Sequence, residues 1–129
     1  MERPDPDGLT PAQIIERIEI ALDAAGGTHT WEDVCTGLKA GAYQMFWNKH
    51  GAAITEIVNF PRKRVLHCWI VAGELPGVME LQDQVIAHAQ KHECSLMTTT
   101  ARPGWRKVLP SYGWKEDTAM FSHEVPSNA

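Results

Sequence analysis

His88 and His92 stand four residues apart in a stretch with helical periodicity, a spacing at which two imidazoles on one helix face can chelate a metal ion. Cys94 follows closely, but no fourth donor is placed to complete a tetrahedral set. Both histidines flank an apolar arc, so a place on the helix flank is the plainer reading and no metal is expected. Glu56 and His67 are titratable groups set inside two runs rich in β-branched and apolar residues, TEIVNF and RVLHCWIVA. On a strand each could exchange a proton with a bound molecule, or serve as a salt-bridged or hydrogen-bonded residue on a half-buried face. Tyr112, beside Gly113, could act as an acid or simply pack at a turn. Cys35, Cys68 and Cys94 are odd in number, widely spaced and without a C-x-x-C pair, which points to buried free thiols rather than a disulfide framework or structural zinc. Thr98, Thr99 and Thr100 reflect β propensity.

The partners that composition excludes narrow the field. With a net charge of -4 and a sequence pI of about 5.8, the chain offers no general attraction to phosphate backbones, so nucleic acid is not expected as a partner. Arg62, Lys63 and Arg64 form the one local cluster of cations, next to Pro61, and read as a solvated turn. No apolar run nears the roughly 20 residues that cross a bilayer. The opening MERPDPDG is acidic and proline-rich, unlike a signal peptide, so a cytoplasmic protein is expected. A hydrophobic fraction of 43% in 129 residues suits one globular domain with a real core.

The elements that must position these residues can be read in order. Residues 1–9 form an extended arm, 10–125 a single domain and 126–129 a tail. Thr10 caps a helix with Pro11 at its first position and Gln13 closing a capping box; Ile14, Ile15, Ile18, Leu22 and Ala25 make its apolar stripe, and Gly26-Gly27 ends it. Thr30 with Asp33 opens a second helix that stops at Gly41. Residues 43–48, 52–60 and 64–72 read as three strands joined by hairpin loops, hence antiparallel neighbours. On the middle strand Ile54, Glu56, Val58 and Phe60 share one face. Val78, Leu81, Val85 and Ala89 recur at helical spacing. That helix carries the chain to a strand at 94–100, which must lie parallel to 64–72. A short helix over 102–109 and a last strand over 118–125 complete a mixed α/β fold. Its sheet is mostly antiparallel, with one splayed parallel pair and helices on both faces. Trp31 and Trp69 are expected in the core, while Trp47, Trp105 and Trp114 fall near element ends, where a partly exposed indole can anchor an interface.

The run AHAQKHECSLMTTTARPGWRKVLPSYGWKE resembles the C-terminal half of the GNAT superfamily of acyl-CoA N-acyltransferases in its layout of helix, strand, short helix and glycine-aromatic pair. The chain looks most like small GNAT-like proteins encoded by phages and prophages. The resemblance implies an acetyl-CoA cleft between the splayed strands, with Trp69, Val71, Gly73, Gly77 and Val78 as the positions that would line it. It further implies Glu56 or His67 as the base that deprotonates an amine, and Tyr112 as the acid. The chain departs from the family pattern in three respects. The opening strand before the first helix is not evident. The phosphate-binding loop lacks its Gln/Arg, and carries Glu74 and Pro76. Leu109 stands where the family places its proton-donating tyrosine. These departures favour a degenerate acyl-CoA site and a phage-encoded accessory or virion-associated binding or structural protein, in the host cytoplasm or the virion. Such a protein would engage a protein partner, or itself, through the N-terminal helix and exposed tryptophans. The alternative is an active acetyl-CoA-dependent N-acetyltransferase acting on an amine of a protein or small molecule.

Overall fold

The computed structural model describes residues 8–127. These divide into two compact units, one ending at Thr99 and the other beginning at Thr100. In the first unit, α1 (Pro11–Ala24) and α2 (Trp31–Ala40) both open on complete capping boxes. Thr10 Oγ1 accepts from the Gln13 amide at 3.2 Å and the Gln13 side chain accepts from the Thr10 amide at 2.8 Å. Thr30 and Asp33 repeat the exchange at 3.2 and 2.9 Å. Each box satisfies two of the amides that a helix start leaves without a partner. Gly41, at φ 78°, closes α2 in the left-handed region. The stripe Ile14, Ile18 and Leu22 is buried with Val34 against Ala52, Ile54, Ile70 and Ala72 of the sheet. The apolar face of α1 is therefore used within its own unit, leaving Ile20 as its large exposed apolar residue.

The sheet has the order β1 (Gln44–Asn48), β2 (Gly51–Asn59), β3 (Arg64–Gly73), β4 (Leu96–Thr99). The first three strands pair antiparallel and β4 runs parallel to β3, from Val65↔Leu96 to Cys68↔Thr99. Between β3 and β4 the chain forms a 3-10 turn (Gly77–Leu81) that runs into α3 (Gln82–Lys91). Val85 and Ala89 of α3 pack on Leu66, with Phe46, Cys94 and Met97 around them. α1 and α2 thus cover one face of the sheet and α3 the other.

One irregularity decides which side chains face which layer. Ile54 pairs with Ile70, but Thr55 pairs with Cys68, so Trp69 is an extra residue in β3. Such a bulge reverses the alternation on either side of it. Ile70 and Ala72 therefore point at α1 while Leu66, of the same parity in sequence, points at α3. The continuous apolar run hides this shift, because every position in it suits a strand covered on both faces.

The last helix of the first unit ends on a Schellman motif, with Cys94 donating to Ala89 O and Glu93 to Gln90 O. Its left-handed position, usually glycine, is Glu93 at φ 58°. In the second unit the expected helix over 102–109 is replaced by two 3-10 turns, Pro103–Lys107 and Leu109–Tyr112. Pro110 supplies no amide with which to continue a helix. The strand expected over 118–125 is not formed. Met120 and Phe121 are adjacent, so a strand would send them to opposite faces, and both remain exposed, at 78% and 91%. Among the described residues no helix is long and apolar enough to cross a membrane.

Candidate functional site

The register of the sheet brings Glu56, His67 and Thr98 into one row across β2, β3 and β4. All three are half-buried. His67 Nδ1 lies 2.8 Å from Thr98 Oγ1. When Nδ1 carries the proton and donates to that hydroxyl, Nε2 keeps its lone pair and is the nitrogen free to accept a proton. Glu56 sits directly opposite His67, the spacing at which antiparallel side chains touch. Neither has its carboxylate or ring tied up in an ion pair among the described residues. The row can take a proton from a bound molecule.

Beside it, residues 69–73 of β3 continue past the end of β4 at Thr99. The Glu74 amide donates to His50 O at 2.8 Å, just outside the Gly51↔Gly73 pair. That pair is therefore of the non-hydrogen-bonded kind and, by alternation, so is Ala53↔Val71. The N–H and C=O groups of Val71 and Gly73 are consequently aimed away from β2, where no strand of the first unit pairs with them. Two of the expected cleft positions, Val71 and Gly73, thus share one open strand edge, with Trp69 at the bulge that precedes them.

The bulge residue also gathers two side chains that sequence reasoning missed. His29, from the loop between α1 and α2, packs on Trp69 with ring centroids 4.8 Å apart, and Tyr43, just before β1, packs on it at 5.1 Å. The Tyr43 hydroxyl is 3.3 Å from His29 Nε2, and Thr28 Oγ1 is 2.7 Å from His29 Nδ1. Trp69 Nε1 is buried with no hydrogen-bond partner. No spacing in the chain links these residues; only the bulge, which turns the Trp69 ring toward the α1–α2 side, makes them neighbours. Gly37 belongs to the same arrangement, since a Cβ there would sit 2.2 Å from the Tyr43 ring. Cys68, next to the bulge, points its thiol at Ile70 O, 3.7 Å away, and burial pushes its pKa up to about 12.

In the loop that follows β3, three amides are already in use. The amide of Glu74 goes to His50 O, that of Val78 to Glu74 O and that of Met79 to Pro76 O, while Pro76 has none. Gly77 and Val78 are buried. A Cβ on Gly77 would lie 2.1 Å from the His50 ring, so the space that a glycine opens is filled by imidazole. Asn48 completes the closure, donating from Nδ2 to Gly77 O at 3.0 Å while its Oδ1 accepts from the His50 amide at 2.8 Å. An anion seated on backbone amides requires amides that point outward and are unpaired; Glu74 adds a like charge.

No protein-family model and no curated protein matches the chain. Solved structures do. A probable acetyltransferase superposes at a TM-score of 0.64 with 11% identity over 92% of each chain. A GCN5-related N-acetyltransferase from Ralstonia eutropha does so at 0.62 and 11%, covering 88% of this chain and 91% of that one. A Trypanosoma brucei acetyltransferase gives 0.58 and 12%, over 86% and 94%. The chain has the GNAT acyltransferase-type fold. The parallel β3–β4 pair, the open edge at 69–73 and the loop at 73–78 hold the positions named above for a cleft. Tyr112, the third catalytic candidate, ends the Leu109–Tyr112 turn in the second unit, half-buried and followed by Gly113 at φ 92°.

The remaining candidates have structural settings. The His88 and His92 rings lie with centroids 4.3 Å apart and planes tilted by 49°, and His88 also meets Phe46 edge-on at 5.5 Å. His88 Nε2 is buried without a partner, and desolvation, then His92 and Lys91, holds its pKa below the ordinary value. Among the described residues no group of three or more His, Cys, Asp or Glu side chains is placed to hold a metal. Arg64 of the basic cluster bonds Asn59 Oδ1 and His92 O, both at 2.8 Å, tying the hairpin to the end of α3.

Proposed function

We propose that this GNAT-fold chain is a binding protein whose cofactor-type cleft does not grip acyl-CoA, an accessory or virion-associated component of the phage or prophage kind that the sequence resembles. The observation that carries this reading is the loop after β3, in which three amides are in use and an imidazole covers the glycine. The Glu74, Val78 and Met79 amides are spent inside the protein, Pro76 has no amide to offer, and His50 fills the space over Gly77. A diphosphate docking there would meet the His50 ring over Gly77 and approach Glu74, and could use the committed amides only by breaking their bonds. Calorimetric titration with acetyl-CoA tests it. No heat at millimolar cofactor is expected, and saturable micromolar binding that competes with free CoA would overturn the reading.

A second reading, an active acetyl-CoA-dependent N-acetyltransferase, is favoured by one specific observation, the half-buried Glu56–His67–Thr98 row beside the outward-facing backbone of Val71 and Gly73. In that case Glu56 or His67 takes the proton from the amine and Tyr112 is the candidate acid for the departing thiolate. Acetyl transfer to a panel of primary amines, lost in both Glu56→Gln and His67→Ala, would establish it. Transfer indifferent to both substitutions would sink it.

A further inference from the structure

The end of the sheet opposite the cleft carries a surface that the functional reading leaves unused. The turn at 60–63, closed by the Phe60 amide donating to Lys63 O at 2.8 Å, holds Phe60 57% exposed and presents Arg62 and Lys63 to solvent. Arg64 does not share that freedom, because Asn59 and His92 O hold its guanidinium. Glu93, just past the His92 carbonyl, is the one acid among the residues tied to that end, 59–64 and 92–96. An exposed aromatic ring flanked by two cations suits a segment that offers prolines to the ring and carboxylates to the cations.

The chain contains such a segment in Glu2, Pro4, Asp5, Pro6 and Asp7, whose three acids outweigh Arg3. Within one copy the described chain begins at the other end of β2. The Leu9 amide donates to Lys49 O at 2.6 Å, beside the β1–β2 turn, whereas the 60–63 turn lies at the far end of β2. Nine residues of β2 span about 27 Å at the strand rise of roughly 3.4 Å per residue. Asp5, three residues before Gly8, reaches at most about 11 Å from it, and Asp7 about 4 Å. A second copy has no such restriction. We propose that the acidic, proline-containing segment 2–7 of one copy docks on the Phe60, Arg62 and Lys63 turn of another. The turn and the point at which the segment joins the described chain lie at opposite ends of β2, so the contact joins unlike surfaces, is head-to-tail and builds open chains or closed rings.

Sedimentation velocity of the full chain over a concentration series tests this. In about 0.01 M salt, where charges are felt over roughly 30 Å, the mean mass should rise with concentration; in about 1 M salt, where that range is roughly 3 Å, it should fall to the monomer. R62E/K63E and D5K/D7K should each abolish the concentration dependence, and the fourfold variant R62E/K63E/D5K/D7K, which restores opposite charges in exchanged positions, should recover it. Far-ultraviolet circular dichroism of each variant checks folding, which these exposed substitutions should leave unchanged. A monomer at every concentration in low salt would overturn the proposal, as would association that survives either charge reversal or is not recovered by the exchange.

Discussion

Cys68 is buried and His88 half-buried, and at both desolvation favours the neutral form, raising the pKa of the thiol and lowering that of the imidazole. The Cys68 thiol, pushed up to about 12 by burial, remains protonated across the accessible pH range and cannot act as a nucleophile. With a disulfide reagent at pH 8, Cys35 and Cys94, both half-buried, should react in the native protein, and Cys68 only after denaturant is added. Reaction of Cys68 at the rate of the other two would show that the bulge opens readily. His88 has a pKa held below its ordinary value near 6.5, chiefly by desolvation. Above that value both the folded and unfolded states are neutral there and nothing is gained or lost. As pH falls below it the unfolded chain takes the proton first, so stability declines until the folded-state pKa is passed, and then levels. Denaturant midpoints measured at pH 7.5 and pH 5 should therefore differ less in His88→Gln than in the parent chain. At this scale the sequence shows that Glu56 and His67 are strand residues, because each lies inside a run of β-branched and apolar residues and a short hairpin loop joins the two runs. His29 and Tyr43 stay hidden because a bulge inside a uniformly apolar run leaves no mark in residue types.

Among the elements, the helix starts are legible because capping is local chemistry: Thr10 with Gln13 and Thr30 with Asp33 are partners only three positions apart. Thr30→Ala should cost about 1 kcal/mol of unfolding free energy. The end of α3 breaks its local rule. Glu93 occupies the left-handed position of a complete Schellman motif, where a Cβ strains against the following carbonyl by roughly 1–2 kcal/mol. Glu93→Gly should accordingly raise stability by roughly 1 kcal/mol, the added chain entropy offsetting part of the relief. A denaturant titration showing a loss instead would mean that the Glu93 side chain holds the turn. The missing strand at 118–125 shows the limit of such reading. β propensity identifies residues suited to a strand, but pairing depends on a neighbouring edge that only the tertiary structure supplies.

For the molecule as a whole, the parallel pair and the layer order follow from the alternation of strand and helix patterns, since a strand, a covering helix and a second strand have one allowed hand. What that alternation does not reveal is that the β1–β2 turn and the loop after β3 are one block. Asn48 bridges to Gly77 O, His50 O receives the Glu74 amide, and the His50 ring lies where a side chain at 77 would go. Gly77→Ala should cost roughly 1–3 kcal/mol by overpacking. If the ring is the cause, His50→Ala in the same chain should relieve most of that loss, so that the double variant is more stable than the sum of the two single changes implies, by about 1 kcal/mol or more. An additive pair would place the strain elsewhere in the loop. The same variant also probes the cleft. Removing the imidazole clears the space over Gly77, yet the Val78 and Met79 amides remain bonded to Glu74 O and Pro76 O, so His50→Ala alone should not create affinity for acetyl-CoA. Calorimetric binding that emerges in His50→Ala and is absent in the parent would make the ring the stopper and the loop amides available after all.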